Sequence, residues 1–201
     1  MDFTDIKKTL EKNGFKVSCF ETGAAAAEYL DSQIDGKSVA FGGSVTVTQL
    51  GLMEKLGAHN TIVSHWKVPE GKTQKEVLVE AMTTDVYIAS ANALAATGEI
   101  INIDGRGNRI TSLVYGHDKV YYVIGRNKIA PTYDEAVFRA RNIAGPLNAK
   151  RLGRKTPCAI EGKKCFNCNS PERICRTMTV TWKASMGLDV EIVLIDEDLG
   201  F

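Results

Sequence analysis

The stretch SVAFGGSVTVTQL, residues 38–50, decides how this chain folds. SVAF reads as a short buried strand and Gly42-Gly43 break it. Ser44 then stands where a cap should, opening a helix through Val45, Leu50, Met53 and Leu56 that Gly57 ends. A strand running through a tight turn into a helix is half of a βα unit. At such a junction backbone N–H groups and a helix N-terminus converge, so Gly42, Gly43 and Ser44, with Thr46 just inside the helix, form a candidate cradle for a phosphate or carboxylate. The spacing is neither a P-loop, since no Gly-Lys-Ser/Thr follows, nor GxGxxG. A tight turn with an ordinary helix cap is the competing reading of the same residues.

Working outward, the same alternation recurs. Upstream, Phe3, Ile6 and Leu10 share a helical face that stops at Asn13-Gly14; Phe15, Val17 and Cys19 then alternate as a strand, with Cys19 read as a buried apolar residue. Thr22 caps a helix through AAAAEYL, and Asp35-Gly36 turns the chain. Downstream, TIVSHW (61–66) reads as a strand, Thr73 to Met82 as an amphipathic helix and DVYIAS (85–90) as another strand. Such alternation predicts an α/β layered sandwich with a mainly parallel sheet, whose ligands bind beyond the carboxyl ends of the strands. From Glu99 the pattern changes. EIINI (99–103) and RITSL (109–113) are apolar runs joined by Asp104-Gly105-Arg106-Gly107-Asn108, which predicts a β-hairpin insertion. KVYYVIG (119–125) is a strand, Tyr133 to Ile143 a helix ended before Pro146, and DVEIVLI (189–195) a last buried strand. Only residues 153–180 lack periodicity, so we expect one domain over 1–201 that includes this Cys-rich segment.

Composition narrows the function classes. The 201 residues are 44% hydrophobic, enough for a sizeable core, and carry a net charge of +1. With a pI near 7.6 there is no global basic excess to draw nucleic acid or an anionic membrane, so charge recognition must be local. MDFTDIKKTL is neither a secretory nor a transit segment, and no run approaches the length of a membrane span. A cytoplasmic setting is the expectation.

The candidate site residues sit in loops at strand ends. In ASANALAATGEI, Asn92, Thr97 and Gly98 can orient a ligand, although Asn and Thr also stabilise turns by bonding their own backbone. Asn102 follows, and Asp104 suits a hydroxyl or cation or simply a turn. Glu99 is the carboxylate in this loop able to act as nucleophile or base. After KVYYVIG come Asn127 and Lys128, the latter a point charge for an anionic substrate. Arg139, Asn148 and Arg151 lie on the following helix and its extension, where a local basic face could also serve the anion. His59, His65 and His117 are assigned no role. DGRGN lacks the third glycine before a helix and is set aside as a nucleotide loop. Trp66, Tyr87, Tyr121 and Tyr122 read as core or edge packing.

Four of the five cysteines fall between 158 and 175, as C-x6-C-x2-C-x6-C through Cys158, Cys165, Cys168 and Cys175. In a reducing compartment such a cluster suits zinc or an iron-sulfur cluster. Disulfides, a redox-active pair and free thiols stay open. Arg154, Lys155, Lys163, Lys164, Arg173 and Arg176 would offset the charge of four thiolates, or form a solvated basic surface.

Taken in order, GGSVT (42–46), SANALAATGEIINIDGRGNRI (90–110), VIGRNKI (123–129), RARNIAGPLNAKRL (139–152) and VEIVLIDEDLGF (190–201) resemble the lactate-utilization (LUD) domain family across nearly the whole chain. The resemblance implies a NagB/RpiA/CoA transferase-like fold, shared with sugar-phosphate isomerases, in agreement with the alternation above. It implies a component of organic-acid or redox metabolism that takes part in oxidising lactate to pyruvate, in some cases beside an iron-sulfur protein partner. The family's Gly-Gly-Ser loop matches Gly42, Gly43 and Ser44, and its Asn and Thr-Gly positions match Asn92, Thr97 and Gly98. Two other classes remain: a non-catalytic sensor or assembly subunit for an iron-sulfur partner, and an isomerase or transferase reacting through Glu99 and Lys128.

Overall fold

The computed structural model describes residues 1–162 and 164–201. In chain order it runs α1 (Thr4–Lys12), β1 (Lys16–Phe20), α2 (Gly23–Gln33), β2 (Ser38–Phe41), α3 (Val45–Gln49), α4 (Leu52–Leu56), β3 (Thr61–Val63), α5 (Gln74–Glu80), β4 (Val86–Ala89), β5 (Ala93–Ala95), β6 (Ile100–Asp104), α6 (Asn108–Ser112), β7 (Lys119–Gly125), β8 (Ile129–Ala130), α7 (Tyr133–Arg139), α8 (Gly145–Arg151), α9 (Pro157–Glu161), β9 (Thr177–Thr181) and β10 (Asp189–Ile195).

Six strands pair in the order β1-β10-β7-β4-β2-β3, every pair parallel. Period-two alternation feeds two cores from this one sheet. On β7, Val120, Tyr122 and Ile124 face a core with Phe3, which precedes α1, and Ile6 and Leu10 of α1. Tyr121 and Val123 face the other, with Leu30 of α2, Val47 of α3 and Leu52 of α4. A sheet covered on both faces needs strands that are apolar throughout, as SVAF, VYIA and DVEIVLI nearly are. The fold is therefore a layered α/β sandwich with a mainly parallel central sheet.

A second sheet, ordered β8-β5-β6-β9, lies against α7 through Ala93, Ala95, Ile101, Ala136 and Ala140. Here the sequence reading needs correction. The hairpin forms between β5 and β6, with Ala93 opposite Ile101 and the turn at residues 96–99. RITSL is helical: Gly107, at φ 92°, opens α6, and Ile110 and Leu113 share its inner face three residues apart. The sheet's other antiparallel partner is β9, inside the segment that lacked periodicity. That segment also holds α9.

The helix after Gly43 is two pieces, because Gly51 at φ 63° breaks it between α3 and α4. Pro146 does not end its helix. Residues 140–144 form a π-turn joining α7 to α8, and Pro146 occupies the first turn of α8, where its missing N–H costs little. Cys19 is exposed on the edge strand β1, which β10 covers on one side alone. No helix among the described residues is long and apolar enough to cross a membrane.

Candidate functional site

The parallel strands point their carboxyl ends at one cleft of about 480 Å³. Strands β2, β3, β4 and β7 of the six deliver residues from the segments that follow them: Gly43, Ser44 and Val45 after β2, His65 and Trp66 after β3, Ser90, Ala91 and Asn92 after β4, and Lys128 after β7. The far wall comes from β6 and its loop (Ile103 to Arg109), the end of α8 (Asn148, Arg151) and residues 171–176. This is the placement that an open parallel sheet dictates.

The Gly-Gly turn is fixed by packing. A Cβ on Gly42 would stand 2.9 Å from Ala89 Cβ, 3.1 Å from Arg109 Cδ and 3.1 Å from the Tyr87 hydroxyl, so only glycine lets Arg109 lie across the turn. Ser44 accepts from Val47 N–H at 3.4 Å and caps α3. Helix cap and cleft wall are thus the same residue. Thr46 is buried and donates to Leu199 O at 3.1 Å, which ties residues 196–201, the C-terminal strap that follows β10, to α3.

Arg109 organises the centre. One guanidinium nitrogen donates to Asn102 Oδ1 and, at 3.3 Å, to Ser90 O. The other donates to Asn92 Oδ1 at 3.1 Å and Ile103 O at 2.6 Å, while Nε lies 3.5 Å from Asp104. Asp104 also accepts from the N–H groups of Arg106 and Gly107, both at 2.9 Å. The carboxylate is a turn residue and an arginine partner at once.

Lys128 is only 4% exposed. Its Nζ donates to Ser90 Oγ at 3.0 Å and Ala91 O at 3.3 Å. Burial, reinforced by the Arg139 and Arg109 cations, pulls the ammonium down from 10.5 to about 7. Arg139 stands behind it, donating Nε to Asn127 O at 2.7 Å and Nη1 to Asn92 O, so it binds the loops after β7 and β4 together. Asn127 clamps the C-terminal strap, accepting from Leu199 N–H at 3.0 Å and donating to Gly200 O at 3.3 Å.

Seven basic side chains line the cleft (Arg106, Arg109, Lys128, Arg151, Arg154, Arg173, Arg176) against two acidic ones, Asp104 and Glu172. A chain of net charge +1 with 25 Lys and Arg residues thus places seven of them around one concave surface.

Of the residues singled out from sequence, Gly43, Ser44, Asn92, Asp104, Lys128, Asn148 and Arg151 line the cleft. Gly42, Asn102, Asn127, Arg139 and Thr46 support it from behind. Thr97, Gly98 and Glu99 do not reach it. They form the β5–β6 turn, where Thr97 donates to Glu99 Oε2 and Gly98 lies close against Thr9 of α1 and Asn13 just beyond it. Sequence reasoning missed Ser90, Arg106, Arg109, His65 and Trp66. Trp66 is exposed at 56%, a cleft wall where packing was expected. His65 is buried beside it, and that burial, with the Arg106 charge, holds its imidazole below the ordinary value. His59 bonds Asp31 and Asp35 on the surface, and His117 stacks on Tyr87 in the core.

Cys158, Cys165, Cys168 and Cys175 are free and half-buried, and they line a second cavity of about 200 Å³. Among the described residues, no three His, Cys, Asp or Glu side chains are close enough to share one metal ion. Arg173 and Arg176 line this cavity too, Arg154 lines the cleft, and Lys164 lies over Phe166. Lys163 lies outside the described residues.

A family model described as "LUD domain" matches residues 4–195. Among solved structures the chain is similar to a DUF162 family protein from Deinococcus radiodurans, with a TM-score of 0.56 at 12% identity, covering 96% of this chain and 95% of that one. No curated protein matches.

Proposed function

The chain belongs to the LUD domain family, and on that premise we propose that it is a cytoplasmic, lactate-utilization-type protein of organic-acid metabolism whose cleft binds a small anion through Lys128. One observation carries the reading: an ammonium group buried at 4% exposure beside Ser90, in a cleft where basic side chains outnumber acidic ones. Burying a lysine without a carboxylate partner is costly, and an incoming carboxylate or phosphate would supply the missing charge. Ser90 and Asn92 would fix its orientation, and the exposed backbone at Gly43 and Ser44 would take a second oxygen. Titration calorimetry with lactate, pyruvate and inorganic phosphate tests this. Binding of at least one, abolished by Lys128→Met, is the expected result; binding unchanged in that variant would overturn it.

A second reading is a non-catalytic ligand-sensing or assembly subunit for an iron-sulfur partner. Its support is that both cleft carboxylates are already engaged, Asp104 by Arg109 and its own turn, and Glu172 by Lys155 N–H at 2.9 Å. Neither is free to act as nucleophile or base, and Glu99 lies in the β5–β6 turn. The isomerase or transferase reading therefore loses its carboxylate. Turnover of lactate or a coenzyme A ester by the isolated chain would exclude the non-catalytic reading.

A further inference from the structure

We propose that the four-cysteine cavity is a binding site for a cubane [4Fe–4S] cluster, set against the wall of the anion cleft. The volume of the cavity and the groups around the sulfurs point to this guest, whatever the cleft binds.

The cysteines come from three separate pieces of chain: Cys158 from the first turn of α9, Cys165 and Cys168 from the loop beyond it, and Cys175 from the approach to β9. Folding brings all four to one hollow. A zinc ion would need its four thiolates in one tight tetrahedron, each about 2.3 Å from the metal. Among the described residues no three such ligands meet at a point. A cubane reverses the requirement, because each thiolate binds a different iron at a corner and the centre is filled by iron and sulfide. Four thiols spread around about 200 Å³ match that arrangement.

The surroundings fit the same guest. Ile103, Pro146, Ala149, Ile174 and Met178 give the hollow an apolar lining, and Arg141, Arg173 and Arg176 supply cations to balance the charge of thiolates bound to a cluster. Asn167 N–H donates to Cys165 Sγ at 3.3 Å, and its left-handed φ of 45° shapes the Cys-Phe-Asn-Cys turn. Arg173 holds the frame. It donates one nitrogen to Cys168 O at 2.7 Å and Nε to Cys175 O at 2.8 Å, locking the third ligand to the fourth. Asn142, on the π-turn, accepts from Cys165 N–H at 3.1 Å and anchors the second. A disulfide reading has no such need for four thiols about one void.

Ile103, Gly145 and residues 173–176 belong to both cavities, so the cluster would sit directly behind the basic wall of the cleft. On assembly each thiol releases its proton as its sulfur bonds one iron.

The test is anaerobic purification of the full chain and reconstitution with equal parts of ferrous and ferric iron and with sulfide, which together supply the two ferrous and two ferric ions of the cluster. The expected result is about four iron and four acid-labile sulfide per chain, with a broad visible absorption that dithionite bleaches. Cys158→Ala, Cys165→Ala, Cys168→Ala and Cys175→Ala should each abolish or sharply reduce that uptake, whereas Cys19→Ala should keep it. One tightly held zinc per chain with no iron uptake would overturn the proposal. So would a disulfide among the four in anaerobically prepared protein, or full cluster content in any of the four variants. Should those variants fail to fold by circular dichroism, the wild-type iron-to-sulfide ratio decides alone.

Discussion

Lys128 donates its Nζ to Ser90 Oγ at 3.0 Å, a buried hydrogen bond that joins the loop after β7 to the loop after its sheet neighbour β4. Ser90 is not notable in sequence, since serine is common in loops, and Lys128 stands out only by its place at a strand end, since lysine is usually solvated. The parallel pairing of β4 with β7 puts their ends side by side, and the second sheet closes over them. The result is an amine whose charge depends on what enters the cleft.

That dependence fixes a pH profile. The amine sits near 7, brought down by burial and by Arg139 and Arg109, and an anion prefers its protonated form. Binding should take up a proton above pH 7. Affinity should then fall by up to about tenfold per pH unit, the effect of one linked proton. Calorimetry in buffers of different ionisation heat checks both the uptake and the slope. Affinity flat from about pH 6 to pH 9 would refute the role of Lys128.

The same shift predicts a stability gain on removing the charge. Lys128 has a folded value below its unfolded one, so between about 7 and 10.5 the unfolded chain holds more protons and stability rises with pH. Below 7 the full burial cost is present. The contribution has a slope of up to about 1.4 kcal/mol per pH unit, and Lys128→Met should abolish it. Urea denaturation at several pH values should show the variant more stable than wild type at pH 7, with the gap closing toward pH 10. Equal stability at pH 7 would contradict the buried charge.

The central sheet was legible because a sheet covered on both faces forces apolar strands, and Val120 to Ile124 can be nothing else. The Gly42-Gly43-Ser44 turn was legible for a similar reason, since backbone that must pass under Arg109 excludes a side chain. What failed were elements whose identity is set elsewhere. Ile110 and Leu113 suit either a strand or a helical turn, and Gly107 in the left-handed region settles it. Pro146 reads as a stop, yet the π-turn before it lets the helix restart. Thr97 and Glu99 bond each other, so a polar loop that resembled a site is a turn. Ser90, His65 and Trp66 are single residues beyond short strands. Their one sequence signal is that position.

Arg109 should be the costliest cleft residue to lose. Its removal unpairs Asn102 Oδ1 and leaves the Asp104 carboxylate with its two backbone N–H bonds but without its cation, both groups being buried or nearly so. Arg109→Met should cost about 3–5 kcal/mol, the range for breaking a buried charged network. Arg109→Lys should recover only part of this, because an ammonium cannot reproduce the planar fork that reaches Asn92, Asn102 and Ile103 together. Urea denaturation of both variants checks the order. A loss below about 1 kcal/mol for Arg109→Met would mean that water replaces the network.

On the sheet away from the cleft, Glu191 of β10 accepts from Ser18 Oγ at 2.7 Å, Tyr29 hydroxyl at 2.8 Å and Lys119 Nζ at 2.9 Å. Burial alone would raise this carboxyl. The bonds from Lys119, Ser18 and Tyr29 outweigh it and hold the group below its ordinary value. A carboxyl lowered in the folded state contributes stability that is complete above its unfolded value and is lost as pH falls through the folded one. Glu191→Gln keeps the shape but turns an amide toward Lys119, so it should cost about 2–3 kcal/mol at pH 7. In acid the wild-type carboxyl takes up a proton and loses the same advantage, so the gap between the two proteins should shrink. Denaturation at pH 7 and near pH 3 measures it, and a gap of equal size at both would mean that the charge on Glu191 contributes nothing.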